Sequence, residues 1–259
     1  MPRVFLLHAL GASAREWNDV VEALGEGFEC VALNIPGFGD TPDADLDLAG
    51  LLAWFAGEVS ARPFQPWAVV GHSMGGKIAT LAAARARDGD AAFAGLSAVV
   101  LLAASPPAPE PMDDTRWEQM LGWIADGRID LEEAAAFVDD NCAARLPDIV
   151  REQAIEDVMR AGPLAWRAWL ERGSREDWRD SVGSISLPTL IVAGGEDGDL
   201  GEDAQRRLNL PHYTDARLEV VAGAAHLLPY EAASETAALI ARHIRSALPE
   251  TTSPVLLQD

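Results

Sequence analysis

Lysine is almost missing from this chain. Of its 20 basic residues only Lys77 is a lysine, against 41 acidic residues. The net charge of −21 repels nucleic acid and anionic membrane surfaces, so neither is an expected partner. Cysteine is also scarce. Cys30 falls in a strand-like run and Cys142 in a helical one, so two reduced, buried thiols are expected, with no disulfide and no cysteine nucleophile. No apolar run reaches the roughly 18 residues of a membrane span. The N-terminal MPRVFLLHALGAS has a short apolar core interrupted by His8, which suits a buried strand and its following loop better than a secretory leader. A cytoplasmic protein is expected.

Hydrophobic residues are plentiful, at 49% of 259. Short, partly β-branched runs bounded by Gly, Pro or Asn occur at 4–7, 29–33, 67–70, 98–102, 189–193 and 217–221 and read as buried strands. Helical patterns lie between them at 13–24, 47–60, 74–87, 201–208 and 229–247. Strand alternating with helix predicts an α/β fold: a mostly or wholly parallel sheet of about six strands, with helices on both faces. The alternation fails once. From Ser105 to about Ile185 there is no good strand; four prolines open the region and helical segments follow near 113–126, 131–143, 148–161, 163–171 and 175–180. The core is therefore expected at 1–104 and 186–259, with a helical insertion at 105–185. The insertion holds Trp117, Trp123, Trp166, Trp169 and Trp178, which suit either its own small core or the roof of a pocket. The tail from Pro249 reads as loose or surface-packed.

The stretch WAVVGHSMGGKIATLAA carries the clearest chemical signal. Gly71, His72, Ser73, Met74 and Gly75 fit G-x-S-x-G between an apolar strand and an alanine-rich helix. That spacing suits a sharp strand-to-helix turn that lifts the serine hydroxyl above the sheet edge, with glycine where side chains would clash. A hydroxyl needs a base. Of five histidines, His226 follows the last strand and precedes the last helix, at the sheet edge where Ser73 sits. His72 is expected to be structural, His8 to orient a loop, and His212 and His243 to lie on the surface. The base needs a carboxylate to fix its tautomer. Asp197, in the loop after the 189–193 strand, is the candidate, with Glu196 and Asp199 as close competitors. The oxyanion donors are expected to be the backbone N–H groups of Met74 and, from the HALG loop, Leu10.

These features resemble the α/β-hydrolase superfamily. LLHALGAS resembles its His-Gly oxyanion loop, with Ala9 in place of glycine. NIPGFGDT resembles its D-x-P-G-x-G-x-S turn, with Asn34 and Thr41 substituted. GHSMGG resembles its nucleophile elbow without departure. GAAHLLPYE resembles its histidine segment, with Glu231 in place. The resemblance implies that the insertion is the family's cap domain, and that the first strand corresponds to the one the family usually numbers third.

The expected reaction is serine hydrolysis of a carboxylic ester or lactone through an acyl-enzyme, with Ser73 as nucleophile, His226 as base and Asp197 as its partner. It needs no metal or organic cofactor. C–C hydrolysis, lyase chemistry and cofactor-free perhydrolysis are alternatives on the same fold, and a non-enzymatic ligand receptor is a further one. Haloalkane dehalogenation is disfavoured, because it uses a carboxylate at the elbow. Two acidic runs do not make metal sites. DADLDLAG lacks the glycine and the final acid of a calcium loop, and GGEDGDLGED lacks histidine at ligand spacing.

Overall fold

A computed structural model describes residues 1–63 and 66–248; the expectation for the tail from Pro249 lies outside the described residues. Six strands, β1 (Arg3–Leu7), β2 (Glu29–Leu33), β3 (Trp67–His72), β4 (Leu96–Leu102), β5 (Thr189–Gly194) and β6 (Ala216–Val221), form one sheet in the order β2-β1-β3-β4-β5-β6. Every neighbouring pair is parallel.

Parallel strands need crossovers, and the crossovers are helices. The helices α1 (Asn18–Leu24), α2 (Leu48–Ala61) and α3 (Met74–Arg87) connect the first four strands. Between β4 and β5 come α4 (Asp114–Gly122), α5 (Leu131–Asp140), α6 (Asp148–Met159), α7 (Pro163–Ala168) and α8 (Arg179–Val182). The chain then runs through α9 (Glu202–Ala204), α10 (Leu228–Glu231) and α11 (Ala233–Ala247).

Strand side chains alternate between two cores. Phe5, Leu7, Val69 and Leu101 join one apolar cluster with α2 and α3, and Val4, Leu6, Val70 and Leu102 join another with α1 and α11. Both faces are covered, so the central strands read as continuous apolar runs. A slip of one residue would exchange the two sets, so the register is firmly set.

The insertion departs from the expected helix ends, and backbone competition explains the main difference. A helix was expected over 175–180, but the chain reaches α8 only at Arg179. The N–H of Trp178 is used by the carbonyl of Pro107, and the carbonyl of Glu176 accepts from Lys77. These tertiary bonds take backbone groups a helix would need. Cys142 lies just past α5 rather than inside a helix, because the chain turns at Asn141. Burial pushes both thiols up, Cys30 to about 11 and Cys142 to about 12, so both are protonated at neutral pH.

The stretch expected as one helix over 201–208 is α9 followed by a π turn, Gln205–Asn209, whose Gln205 and Asn209 amides both donate to the carbonyl of Ala104. The final helix is broken at Ala232 into α10 and α11. No helix among the described residues is long and apolar enough to cross a membrane.

The sheet order reverses direction beside β1, since β2 lies on one side of it and β3 on the other. In open α/β sheets such a switch leaves a crevice at the carboxyl ends of the strands. The loops after β1 and β3 both leave from there.

Candidate active site

Ser73 stands between β3 and α3 with φ 49° and ψ −115°, a region that side-chain-bearing residues rarely occupy. Such strain persists only where neighbours over-determine it. Here the turn is locked by its glycines. A Cβ on Gly71 would strike the Gly75 carbonyl, and one on Gly75 would strike the carbonyl of Leu7 in β1. The N–H of Ser73 donates to Leu102, and that of Gly75 to His8, which tie the turn to β4 and to the loop after β1.

Nδ1 of His226 lies 2.8 Å from Oδ2 of Asp197, and the Asp197 side chain is 4% exposed. The other Asp197 oxygen, Oδ1, accepts from the N–H groups of Asp199 (3.1 Å) and Leu200 (3.0 Å). Burial pushes the Asp197 carboxyl up, but the hydrogen bond to His226 and those amides outweigh it and hold it below the usual carboxylate range. Burial likewise pushes His226 down, and the Asp197 bond and charge overcome this, so its affinity for a proton is raised. Glu196 and Asp199, the competing acids, do not reach His226 by any hydrogen bond among the described residues.

The loop that carries His226 is held from three sides. Glu231, at the end of α10, takes the N–H groups of Ala225 (3.0 Å) and Leu227 (3.1 Å) on Oε1, one on each side of the histidine. Its Oε2 takes the N–H of Ala143 from the insertion. The break at Ala232 is what lets α10 turn Glu231 back onto the loop. The carbonyl of Asn141, in the insertion, accepts from the N–H of His226 itself at 3.1 Å.

Leu10 and Gly11 form a tight turn closed by the Ala12 N–H on the Ala9 carbonyl, with Gly11 at φ 75°. Ala9 is not at positive φ, so glycine is not required where the sequence departs from the usual motif. Met74 opens α3, so its N–H belongs to the first turn, which has no intrahelical partner. Asn34 and Thr41, the other departures, are both used: Asn34 Oδ1 accepts from the N–H of Ala14, and Thr41 donates to the carbonyl of Phe38.

Ser73, Asp197, His226 and Leu10 line one cleft enclosing about 640 Å³, its open mouth included. The insertion supplies most of the far wall, with Met112, Met120, Phe137 and Trp169. The Met74 side chain is buried. No hydrogen bond joins the Ser73 hydroxyl to His226 among the described residues.

Of the other histidines, His8 accepts the Ile35 N–H on Nε2 and so does orient a loop. His243 was expected on the surface, but it is 5% exposed, with its Nε2 hydrogen-bonded to the carbonyl of Pro188. It belongs to the inward stripe of the long helix α11, which is where the surface expectation fails.

Glu110 was not singled out from sequence. Its carboxyl lines the cleft and is pushed up by burial, with the Ser105 hydroxyl beside it, and its Oε1 has no hydrogen-bond partner among the described residues. Only its place in the proline-rich start of the insertion marked it. Lys77 was noted as the lone lysine but given no part. It is fully buried, is pulled down to about 8 by that burial, and donates to the carbonyls of Ala108 (3.2 Å) and Glu176 (2.9 Å) at the two ends of the insertion.

Comparison with known proteins bears on the family and the fold. Residues 4–239 match the model of the alpha/beta hydrolase family. A pimeloyl-[acyl-carrier protein] methyl ester esterase of Neisseria meningitidis is 28% identical over 264 residues, covering 98% of this chain and 80% of that protein. The enzyme of the same name from Aeromonas hydrophila is 27% identical over 237 residues, covering 87% and 88%. Among solved structures, an esterase from Exiguobacterium antarcticum superposes with a TM-score of 0.82 at 16% identity, covering 95% of this chain and 92% of that one. An enol-lactonase from Burkholderia xenovorans gives 0.77 at 20% identity, covering 96% and 92%. The solved structures share the fold, and the family match spans most of the sequence. This chain belongs to the alpha/beta hydrolase family.

Proposed function

We propose that this chain is a serine hydrolase that cleaves a carboxylic ester through an acyl-enzyme. The observation that carries this reading is the Asp197–His226 bond of 2.8 Å in the same cleft wall as a serine at φ 49° on a glycine-locked turn.

Asp197 holds the proton of His226 on Nδ1 and leaves Nε2 to act as base. Ser73 Oγ attacks the ester carbonyl carbon as Nε2 takes its proton. The N–H groups of Leu10 and Met74 receive the oxyanion. Collapse of the tetrahedral intermediate breaks the carbon–oxygen bond, and His226 returns the proton to the leaving alkoxide. Water, deprotonated by the same nitrogen, then releases the acid. Electrostatic stabilisation at the oxyanion is worth about 10²–10³ in turnover per donor, so the loop after β1 contributes alongside the charged residues.

The helical insertion at 105–185 serves as a cap, and its apolar wall suits the acyl portion of the substrate. The relatives named for a methyl ester support a carboxylic ester with a small alcohol; a lactone presents the same carbonyl to the same groups. The test is turnover of a panel of methyl and p-nitrophenyl esters and lactones. Wild type is expected to hydrolyse esters with an initial burst of alcohol, and Ser73→Ala to lose that turnover while keeping its circular dichroism. Full turnover by Ser73→Ala refutes the assignment.

A further inference from the structure

Glu16 and His72 have no place in that reaction, yet both side chains are wholly buried beside it. Oε2 of Glu16 accepts from the N–H of Ala9, next to Leu10, at 3.3 Å. Oε1 of Glu16 lies 2.8 Å from Nδ1 of His72. The other ring nitrogen of His72, Nε2, lies 2.8 Å from the backbone carbonyl oxygen of His226.

A carbonyl oxygen only accepts, so Nε2 of His72 must carry a hydrogen. A neutral ring would then turn a bare lone pair at Nδ1 onto a carboxylate oxygen that also lacks a hydrogen. With Glu16 ionised, either neutral tautomer leaves two acceptors facing each other at 2.8 Å; a protonated Glu16 donating to a neutral ring is the one competing arrangement, and it is the neutral-ring outcome of the test below. A second ring proton resolves the conflict, and the carboxylate neutralises its charge. Buried charges are tolerated when paired and hydrogen-bonded in this way.

We propose that Glu16 and His72 form a buried ion pair, with the ring protonated on both nitrogens, that positions the Leu10 loop and the His226 loop against each other. The pair links three segments distant in sequence: Ala9 after β1, His72 at the end of β3, and His226 after β6. Ser73 follows His72 directly, so one rigid contact set spans nucleophile, base and oxyanion loop. The His72 and His226 rings also lie against each other, with centroids 5.3 Å apart and a tilt of 39°. Facing the pair from other elements are His8, Tyr230 and His226, with Asp157 beyond them beside His8 and Tyr230. Asp157 is already engaged by Ser13 and Arg15. Glu16 and His72 are thus positioning residues, and the catalytic part of this inference rests on the serine-hydrolase reading.

The test is nitrogen-15 NMR of the histidine rings in the full chain at about pH 8, where free histidine is neutral, with His72 assigned through His72→Gln. Both His72 nitrogens are expected in the protonated range. In Glu16→Gln, the new amide donates to Nδ1 while its oxygen keeps the Ala9 N–H, so one His72 nitrogen should move to the unprotonated range. A neutral His72 in wild type, or an unmoved spectrum in Glu16→Gln, overturns the pair.

The kinetic arm measures turnover per site titrated with a fluorophosphonate. Glu16→Ala is expected to lose about 10²-fold in kcat with KM changed by less than about threefold, whereas Glu16→Gln keeps most of its turnover. Equal kcat per titrated site in Glu16→Ala overturns the positioning role; if that variant does not fold, the Glu16→Gln spectrum decides. Full turnover by Ser73→Ala would instead refute the hydrolase reading and leave the ring spectra, and so the pair, standing.

Discussion

Replacing Asp197 with asparagine changes one atom, and the structure dictates which way the new amide faces. Oδ1 of Asp197 accepts two backbone N–H groups, from Asp199 and Leu200. An asparagine must give its single oxygen to them, because its NH2 there would meet two donors. The NH2 is thereby turned onto Nδ1 of His226, where the carboxylate oxygen stood at 2.8 Å. Nδ1 must then accept, so the ring proton moves to Nε2, the nitrogen that has to take the proton of Ser73. The base is present in the wrong tautomer. Loss of about 10⁴-fold in kcat is the expected scale of that error, or about 5 kcal/mol of transition-state stabilisation. The assay is kcat/KM on a short p-nitrophenyl ester at about pH 8, above the usual histidine range, with Asp199→Asn and Glu196→Gln as controls at the competing acids. Both controls should stay within about tenfold of wild type, since neither side chain is placed to orient the ring. A loss of less than about tenfold in Asp197→Asn would refute this reasoning. So would a control that lost as much.

Other outcomes follow from the same contacts. As the proposed base, His226 has to be neutral, and its affinity for protons is raised, so kcat/KM should fall in acid with a midpoint above about 6.5, the unperturbed histidine value; a midpoint at or below that value in a pH series contradicts the shift. Lys77→Met removes the donor to two carbonyls that close the insertion, and should cost about 1–3 kcal/mol per orphaned group in denaturant unfolding; unchanged stability would show that the buried amine contributes nothing. Gly75→Ala drives a Cβ into the backbone of β1, with a destabilisation of at least about 1–3 kcal/mol expected from an overpacked site. A thermal melt checks it, at about 2–4 °C per kcal/mol for a chain near this size.

The sheet was legible because each of its strands is short, apolar and followed by a turn signal; the structure extends five of the six, three by one residue and two by two, to His72 in β3 and back to Leu96 in β4. Ser73 and its flanking glycines were legible for a different reason: the strained turn excludes other side chains from those positions. The acid was less so. Asp197, Glu196 and Asp199 are indistinguishable as letters, and what separates Asp197 is the pair of N–H groups that aim its second oxygen at His226. Glu16 and His72 were unreadable as partners, since their meeting depends on β1 and β3 lying side by side. His243 was misplaced for want of knowing which stripe of α11 faces inward. The π turn at Gln205–Asn209 and the delayed start of α8 both serve tertiary hydrogen bonds, to Ala104 in one case and Pro107 in the other, which local propensity does not encode.

The nucleophile is the claim on which the mechanism depends, and covalent labelling addresses it directly. Treating the full chain with a fluorophosphonate, digesting it and mapping the adduct by mass spectrometry is expected to place one phosphonyl group on Ser73. Labelling should vanish in Ser73→Ala and slow sharply in His226→Ala. An adduct on another residue, or a wild-type chain that stays unlabelled while folded, would contradict the account.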